Sequence, residues 1–305
     1  MISIPIISNL QDNVIEKQWT HREILQEEQG NIYMLGKDSK LIKFNIRTKK
    51  WENTESPSIL SERWGISKEA LVCFISENDM LQGKVSLFSV PNFNLLNTIS
   101  IDKDRYYLPM LYPDKNGKYV AATASHRMGI FSIKNGEEIF EVEYDNAYTI
   151  DTVDWSLDSN KILFSVFDKN NKSKSKPVPF IIVYDLTTKA SEKICQGWGP
   201  KWDKSEDRII FRKSESCYSY GDIFEFNRKS KKEKLLFRNI RLYGYSWSPS
   251  GNNLLVAIPE KSFSLYHWPQ WLTVVNYNKP NLRLIVLSGL NSAGNDNERF
   301  FWVDN

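Results

Sequence analysis

The chain is poor in the residues that usually carry metal sites, cross-links or catalysis. Among 305 residues it has only three histidines and three cysteines. They are His21, His126 and His267, and Cys73, Cys195 and Cys217. No histidine stands in a HExxH motif or a paired metal-ligand spacing, and three cysteines do not make a disulfide framework. We therefore expect no metal and no other cofactor, and we expect Cys73, in an apolar strand, to be a buried free thiol.

Long apolar runs are missing as well. No stretch of about 18 consecutive apolar residues occurs, which argues against a membrane-spanning helix. The amino terminus, MISIPIISNLQDN, lacks the basic start and the long apolar core of a secretory signal. These two absences predict a cytoplasmic protein without a membrane span.

Neither sign of charge is in clear excess. The chain has 40 Lys and Arg against 37 Asp and Glu, and its net charge of +3 makes no strong case for nucleic-acid binding. Two basic clusters, Lys169 to Lys176 and Lys229 to Lys234, are interpreted as solvated loops. A nucleic-acid surface would more typically alternate such charges with aromatic residues.

The sequence does contain a repeat built on tryptophan. Within the segment Asp151 to Phe167, Trp155 is followed by a polar turn and, seven to nine residues on, by the apolar run Ile162 to Phe164. The same offsets hold at Trp64, Tyr112, Trp202 and Trp247. We call these five aromatic residues the anchors of the repeat. In chain order, the spacings between them are 48, 43, 47 and 45 residues. That period is typical of four-stranded propeller blades and exceeds that of the common helical repeats.

A second pattern gives the number of blades. An apolar run that ends in an aromatic residue occurs around Phe44, Phe88, Phe131, Tyr184, Phe226 and Tyr277. The sixth anchor is divided between the two ends of the chain, in Phe300 to Val303 and Gly30 to Met34. We predict an all-β fold, a six-bladed β-propeller of four-stranded antiparallel blades, closed by pairing of the carboxyl-terminal strand with the amino-terminal blade. Such closure removes open sheet edges.

The repeats resemble the TolB-like and WD-type propeller families. The closest matches are WSPSG at Trp247 to Gly251 and YDLTTK at Tyr184 to Lys189. The Gly-His and Trp-Asp dipeptides of WD repeats do not recur as a pair, so the chain resembles the TolB-like family more. The matching motifs are structural, so the resemblance implies a propeller fold and no catalytic residue.

The repeat predicts one domain over residues 1–305. Its predicted blades are 30–58 with 299–305, 59–105, 106–147, 148–196, 197–240 and 241–298. Residues 1–29 have two interpretations, a clasp on the outer ring or an extra strand around Trp19 to Leu25. We expect the chain to be monomeric by itself.

One insertion into the repeat indicates a binding surface. Residues 259–272 lie between the second and third strands of their blade and concentrate aromatic rings that the repeat does not require. These are Phe263, Tyr266, His267, Trp268 and Trp271. Because such side chains dominate interface hot spots, our first hypothesis is a non-catalytic scaffold that binds another protein or peptide through this loop face. Alternatively, the rings pack onto their own blade as local core.

A second hypothesis is a small-molecule or metal-dependent hydrolase or lyase with its site in the central channel, by analogy with other propellers. The segment GYSWS at Gly244 to Ser248 is similar to a nucleophile elbow. It ends in Ser rather than Gly, and the blade pattern accounts for it. We therefore expect no catalytic residues and no enzyme.

Overall fold

Alternating apolar residues and short polar turns fold most of the described chain into antiparallel strands. The structure is a computed structural model. It describes residues 28–36, 39–48, 50–59, 63–74, 84–102, 105–106, 109–145, 148–168, 179–213, 221–240, 245–259, 269–277, 283–291 and 300–303. These ranges contain 24 strands. None of their residues forms a helix long and apolar enough to cross a membrane. Residues 1–27, with the Trp19 to Leu25 segment, lie outside the described part of the chain.

Three blades form from the first half of the chain. Blade A contains β1 (Asn31–Leu35), β2 (Leu41–Asn45) and β3 (Lys50–Asn53). Blade B contains β4 (Trp64–Ile66), β5 (Ala70–Phe74), β6 (Lys84–Ser89) and β7 (Leu95–Ser100). Blade C contains β8 (Met110–Pro113), β9 (Tyr119–Ala124), β10 (Arg127–Ser132) and β11 (Glu138–Glu143).

The second half repeats the arrangement. Blade D contains β12 (Tyr148–Trp155), β13 (Lys161–Asp168), β14 (Phe180–Asp185) and β15 (Ala190–Gln196). Blade E contains β16 (Trp198–Trp202), β17 (Arg208–Lys213), β18 (Gly221–Asn227) and β19 (Lys232–Ile240). Blade F contains β20 (Tyr245–Trp247), β21 (Asn253–Pro259), β22 (Pro269–Asn276) and β23 (Arg283–Asn291), and β24 (Phe300–Val303) follows.

The last strand closes the ring. β24 pairs antiparallel with β1, so blade A has the order β24-β1-β2-β3, while the other five sheets keep chain order. Trp302 is buried, and its Nε1 donates a hydrogen bond to the Gln29 carbonyl at 3.0 Å. Next to it, Glu28 accepts a hydrogen bond from Asn253 Nδ2 of blade F at 2.7 Å. The predicted six-bladed propeller with shared termini is confirmed.

The connections between strands define two faces of the ring. The loop face carries the connections from the second to the third strand of each blade and from each blade to the next. The turn face carries the two remaining kinds of connection. Because the strands alternate in direction, the innermost strand of each blade begins at the loop face and the second strand ends there.

Four turns on the turn face share one pattern of hydrogen bonds. Each begins with Ser or Asp, whose N–H donates to the carbonyl five residues later and whose side-chain oxygen accepts from the N–H of that same later residue. The pairs are Asp114 with Tyr119, Ser156 with Lys161, Asp203 with Arg208, and Ser248 with Asn253. Short side-chain acceptors close such turns on their own backbone. This is why Ser or Asp follows the anchor position in these blades.

The register differs between anchors. Trp155, Trp202 and Trp247 pair with the residue seven positions later, whereas Trp64 and Tyr112 pair with the residue nine positions later. In blade C it is Pro113 that precedes the capped turn, so Pro113 takes the place of the tryptophan. Tyr112 consequently packs with Trp155 of the following blade, whose Nε1 donates to the Tyr112 carbonyl at 2.9 Å.

The apolar cores lie between neighbouring blades. Trp64, Trp155 and Trp202 are each almost completely buried, in clusters that join blades A and B, C and D, and D and E respectively. Truncating a buried tryptophan to alanine typically costs about 3–5 kcal/mol. Cys73 lies in the A–B cluster as a free thiol whose burial raises its pKa to about 12, as expected of an inert structural cysteine.

Candidate functional site

The predicted aromatic site falls mostly outside the part of the chain that the structure describes. Phe263, Tyr266, His267 and Trp268 are among the residues beyond it. Trp271 belongs to β22, where its backbone pairs with Ile258. β21 and β22 remain paired as far as Pro259 and Gln270, so the insertion partly lengthens this hairpin and leaves residues 260–268 as its connection.

The described residues bring a different group of side chains together at the loop-face end of blade E, in contact with blade D on one side and blade F on the other. We call the contact between blades E and F the E–F seam. The innermost strand of blade E is irregular here, since its pairing shifts between Trp198 and Lys201 and Gly199 adopts a φ of +62°. The innermost strand of blade D has a bulge of its own, at Thr152, which has a φ of +48°. Bulges of this kind re-aim side chains and are common beside functional sites.

Trp198 is the exposed ring of this group. It is partly accessible to solvent, and the Arg212 guanidinium lies over its face with Cζ 3.9 Å from the ring centre. Phe167 of blade D meets it edge to face at 6.3 Å. A cation over one face and an aromatic edge at its side restrict the indole, so Trp198 forms a rigid platform at the loop face.

Glycines fix the path of the chain around this platform. A Cβ at Gly197 would overlap the ring of Phe211, so only glycine allows the strand to pass so close to blade E. The carbonyl of Gly199 accepts a hydrogen bond from the hydroxyl of Tyr245 in blade F. Burial raises the pKa of Tyr245, so this hydroxyl stays protonated and keeps donating across the seam.

A charged pair joins the innermost strands of blades D and E near their turn-face ends. The Asp154 carboxylate accepts the Trp202 N–H at 2.7 Å and lies 3.7 Å from Lys201 Nζ. Both side chains are mostly buried, at 16% and 22% exposure. A charge in such a position interacts more strongly than one on the open surface. Asp154 therefore joins blade D to blade E beside the buried Trp202.

The turn-face end of the E–F seam is also polar. Arg208 bonds Asp203 at 2.7 Å and lies over the rings of Trp247 and Tyr277 of blade F. Glu225 is buried on the same side of blade E, and burial raises its pKa above the usual value. The seam thus has an apolar centre with charged groups at both ends.

Trp198 could not be recognised from the repeat, because the repeat marks Trp202 of the same strand and not Trp198. One signal was present: GWGP at residues 197–200 places two glycines and a proline around a tryptophan inside a strand, which the blade pattern does not require. Within the described ranges, no group of three or more His, Cys, Asp or Glu side chains could hold a metal ion.

Known proteins resemble this chain in structure and not in sequence. No protein-family profile matches it, and no curated protein sequence does. Its structure is similar to TolB from Acinetobacter baumannii, with a TM-score of 0.61 and 12% identity over 90% of this chain and 67% of that one. A chain of a nidogen–laminin complex has a TM-score of 0.53 and 10% identity over 89% of this chain and 96% of that one. An oligogalacturonate lyase in complex with manganese has a TM-score of 0.50 and 10% identity over 75% of this chain and 70% of that one. At such identities the likeness shows the fold alone, and the TolB-like resemblance of the repeats is confirmed at that level.

Proposed function

We propose that this protein is a non-catalytic propeller that binds another protein or peptide on its loop face, around Trp198 of blade E. The observation that carries the proposal is the Trp198 platform, a partly exposed indole held between Arg212 and Phe167. Tryptophan and arginine are the residues most enriched in interface hot spots, and an immobilised ring loses little entropy on binding.

Two further observations support this proposal. The aromatic-rich insertion 259–272 connects β21 and β22 of the neighbouring blade F, and we propose that its rings contribute to the same binding surface. A structurally similar chain comes from a complex between nidogen and laminin, which is an example of a propeller-like chain within a protein complex.

The proposal is tested by photo-crosslinking. A benzoylphenylalanine placed at Trp198 should capture a discrete partner, whereas one placed at Trp51, on the outer strand of blade A, should not. The partner is then purified and titrated against the parent and Trp198→Ala. A hot spot of about 2 kcal/mol would weaken binding about thirtyfold. Identical capture at both positions, or unchanged affinity in Trp198→Ala, would overturn the proposal.

A second candidate function is a lyase or hydrolase site near the ring axis. The observation that favours it is the Asp154–Lys201 pair on the two innermost strands, since a mostly buried carboxylate and amine are groups that exchange protons. A neighbouring structure is a lyase in complex with manganese. Turnover of an acidic oligosaccharide with added manganese, abolished in Lys201→Met, would favour this function; no turnover would remove it.

A further inference from the structure

Two pairs of aromatic rings flank the loop-face end of blade D. Tyr144 and Tyr148 lie on its blade C side, with ring centres 5.9 Å apart, and both pack against the apolar cluster that joins blades C and D. Phe167 and Trp198 lie on its blade E side, with ring centres 6.3 Å apart. All four rings are partly exposed. We call the first two residues the C–D pair and the last two the D–E pair.

Strand pairing in blade D brings the two aromatic pairs close together. In the β12–β13 ladder, Phe167 pairs with Thr149, the residue after Tyr148. Successive residues of a strand project to opposite faces of their sheet, which is why Tyr148 packs towards blade C and Phe167 towards blade E. The two pairs are therefore separated by the thickness of one sheet, which is about 10 Å in stacked sheets.

Main-chain hydrogen bonds hold the C–D pair in place. The Tyr148 N–H donates to the Asp145 carbonyl at 2.8 Å, which closes the turn between the two tyrosines. The Tyr144 N–H donates at 3.0 Å to the carbonyl of His126, in the short connection between β9 and β10 of blade C. In the D–E pair, Arg212 lies over the indole. Both pairs are thus ordered before a partner arrives, which lowers the entropy cost of binding.

The charges beside these rings favour an uncharged ligand group. Arg212 already covers one face of a ring in the D–E pair, and it would repel a second cation at that ring. Tyr144 of the C–D pair stands between Glu143, which pairs with Arg127 at 2.7 Å, and the exposed Asp145. Two carboxylates and one guanidinium give these flanking groups a net charge of −1, which disfavours a phosphate backbone. Neutral, apolar groups suit both pairs.

Resting on the proposed function, we infer that the partner segment is a proline-rich peptide in the polyproline II conformation, with one proline on each aromatic pair. This helix rises about 3.1 Å per residue with three residues per turn, so prolines three positions apart lie on one side, about 9 Å apart. That distance matches the separation of the two pairs, whereas side chains on one face of a β-strand repeat every 6–7 Å or so, about two residues. Aromatic-lined grooves bind such peptides because the preformed helix loses little entropy.

The turn-face end of the same interface between blades C and D provides a matched control. Phe140 and Tyr184 form another aromatic pair there, with ring centres 4.8 Å apart. Both rings are partly exposed, and both pack against the same cluster as Tyr144 and Tyr148. Tyr184 lies near the turn-face end of β14. Tyr184→Ala therefore removes the same kind of side chain as Tyr148→Ala, but at the end of the interface away from the proposed peptide.

The experiment uses the full chain and three fluorescent peptides of equal length, with repeats of Pro-Ala-Ser, Pro-Ala and Pro-Ala-Ser-Ala. Only the first repeat places prolines three positions apart, whereas the second contains the most proline. We expect anisotropy to show the tightest binding for the Pro-Ala-Ser peptide, weakened about tenfold or more in Tyr148→Ala and in Phe167→Ala. Tyr184→Ala should bind within about twofold of the parent. Tyr148→Phe, which keeps a ring, should retain most of the affinity, and matching melting curves would show that all variants fold.

The outcomes separate this inference from the function on which it rests. Equal or no binding of the three peptides, a preference for Pro-Ala, or equal losses in Tyr148→Ala and Tyr184→Ala would overturn the proline-rich assignment. Tighter binding of single-stranded DNA or of a glucose oligosaccharide would do the same. If the partner crosslinked at Trp198 loses affinity in Trp198→Ala but not in Tyr148→Ala, only this inference fails. If Trp198→Ala weakens neither the partner nor the Pro-Ala-Ser peptide, the proposed function fails with it.

Discussion

Blade E meets its two neighbours in different ways. Toward blade D it presents Trp202, Ile209 and Phe211, which pack on an apolar surface of that blade. Toward blade F it presents Arg208 and Arg212 at the two ends of an apolar centre. Both interfaces therefore have an apolar centre; the D–E interface adds the Asp154–Lys201 pair, whereas the E–F interface has an arginine at each end of its centre. Buried polar groups rarely add net stability, so we expect the apolar centres to hold the blades together and the charged groups to contribute little to that stability.

Removing the strand that closes the ring should cause the largest loss of stability. A chain that ends at Glu298 lacks β24, so β1 loses a paired strand and the blade-to-blade packing of Val303 and the burial of Trp302 are lost. Each large ring is worth about 3 kcal/mol or more against a total stability of about 5–15 kcal/mol. We expect this truncation to be insoluble or to melt far below the parent, in a thermal melt followed by circular dichroism. Removing Met1 to Ile7 is the control and should change little; a well-folded truncation at Glu298 would contradict closure by β24.

The two tryptophans of β16 allow a core position and a loop-face position to be compared within a single strand. Trp202 is 1% exposed in the D–E core, whereas Trp198 is partly exposed at the loop face. We expect Trp202→Ala to lower the free energy of unfolding by about 3–5 kcal/mol and Trp198→Ala by about 1 kcal/mol or less, as measured by denaturant titration. Equal costs would mean that Trp198 belongs to the core and is not a binding platform.

How far the sequence predicts this molecule depends on which residues repeat. Trp155, Trp202 and Trp247 recur with one spacing because each precedes a capped turn, so the fold and its closure could be read from them. Tyr112 stands one position before its structural counterpart, Pro113; both residues lie in the same strand, and only the cap at Asp114 distinguishes them. Trp198 does not repeat, and its role depends on contacts with Arg212 and with blade D that no local pattern encodes.

The next prediction concerns the carboxylate that joins blades D and E. Asp154→Ala removes the acceptor of the Trp202 N–H, and a buried donor left unsatisfied costs about 1–3 kcal/mol. Asp154→Asn keeps an acceptor oxygen and loses only the attraction to Lys201, so we expect it to cost less than Asp154→Ala. Urea denaturation of the two variants measures the difference. Equal stability of both variants and the parent would show that the D–E interface depends on its apolar residues alone.

We expect the smallest change in the free energy of unfolding for a substitution of Glu225, at the E–F seam, and we expect that change to depend on pH. Glu225 is buried, and that burial raises its pKa; Arg208 and Lys234 lower the pKa in part, while Asp203 adds to the rise. A carboxyl whose pKa is higher in the folded chain than in the unfolded chain contributes stability that is fully present below the unfolded pKa and is lost as pH rises through the folded one. Glu225→Gln, which resembles the protonated form, should therefore match the parent in acid and become relatively more stable as pH rises towards neutrality.

Denaturant titrations from pH 4 to 7 would measure this divergence. A constant difference across that range would mean that Glu225 keeps its ordinary pKa and that Arg208 and Lys234 fully offset its burial. The D–E variant Trp202→Ala serves as the comparison, since it removes no titrating group and its destabilisation should be independent of pH.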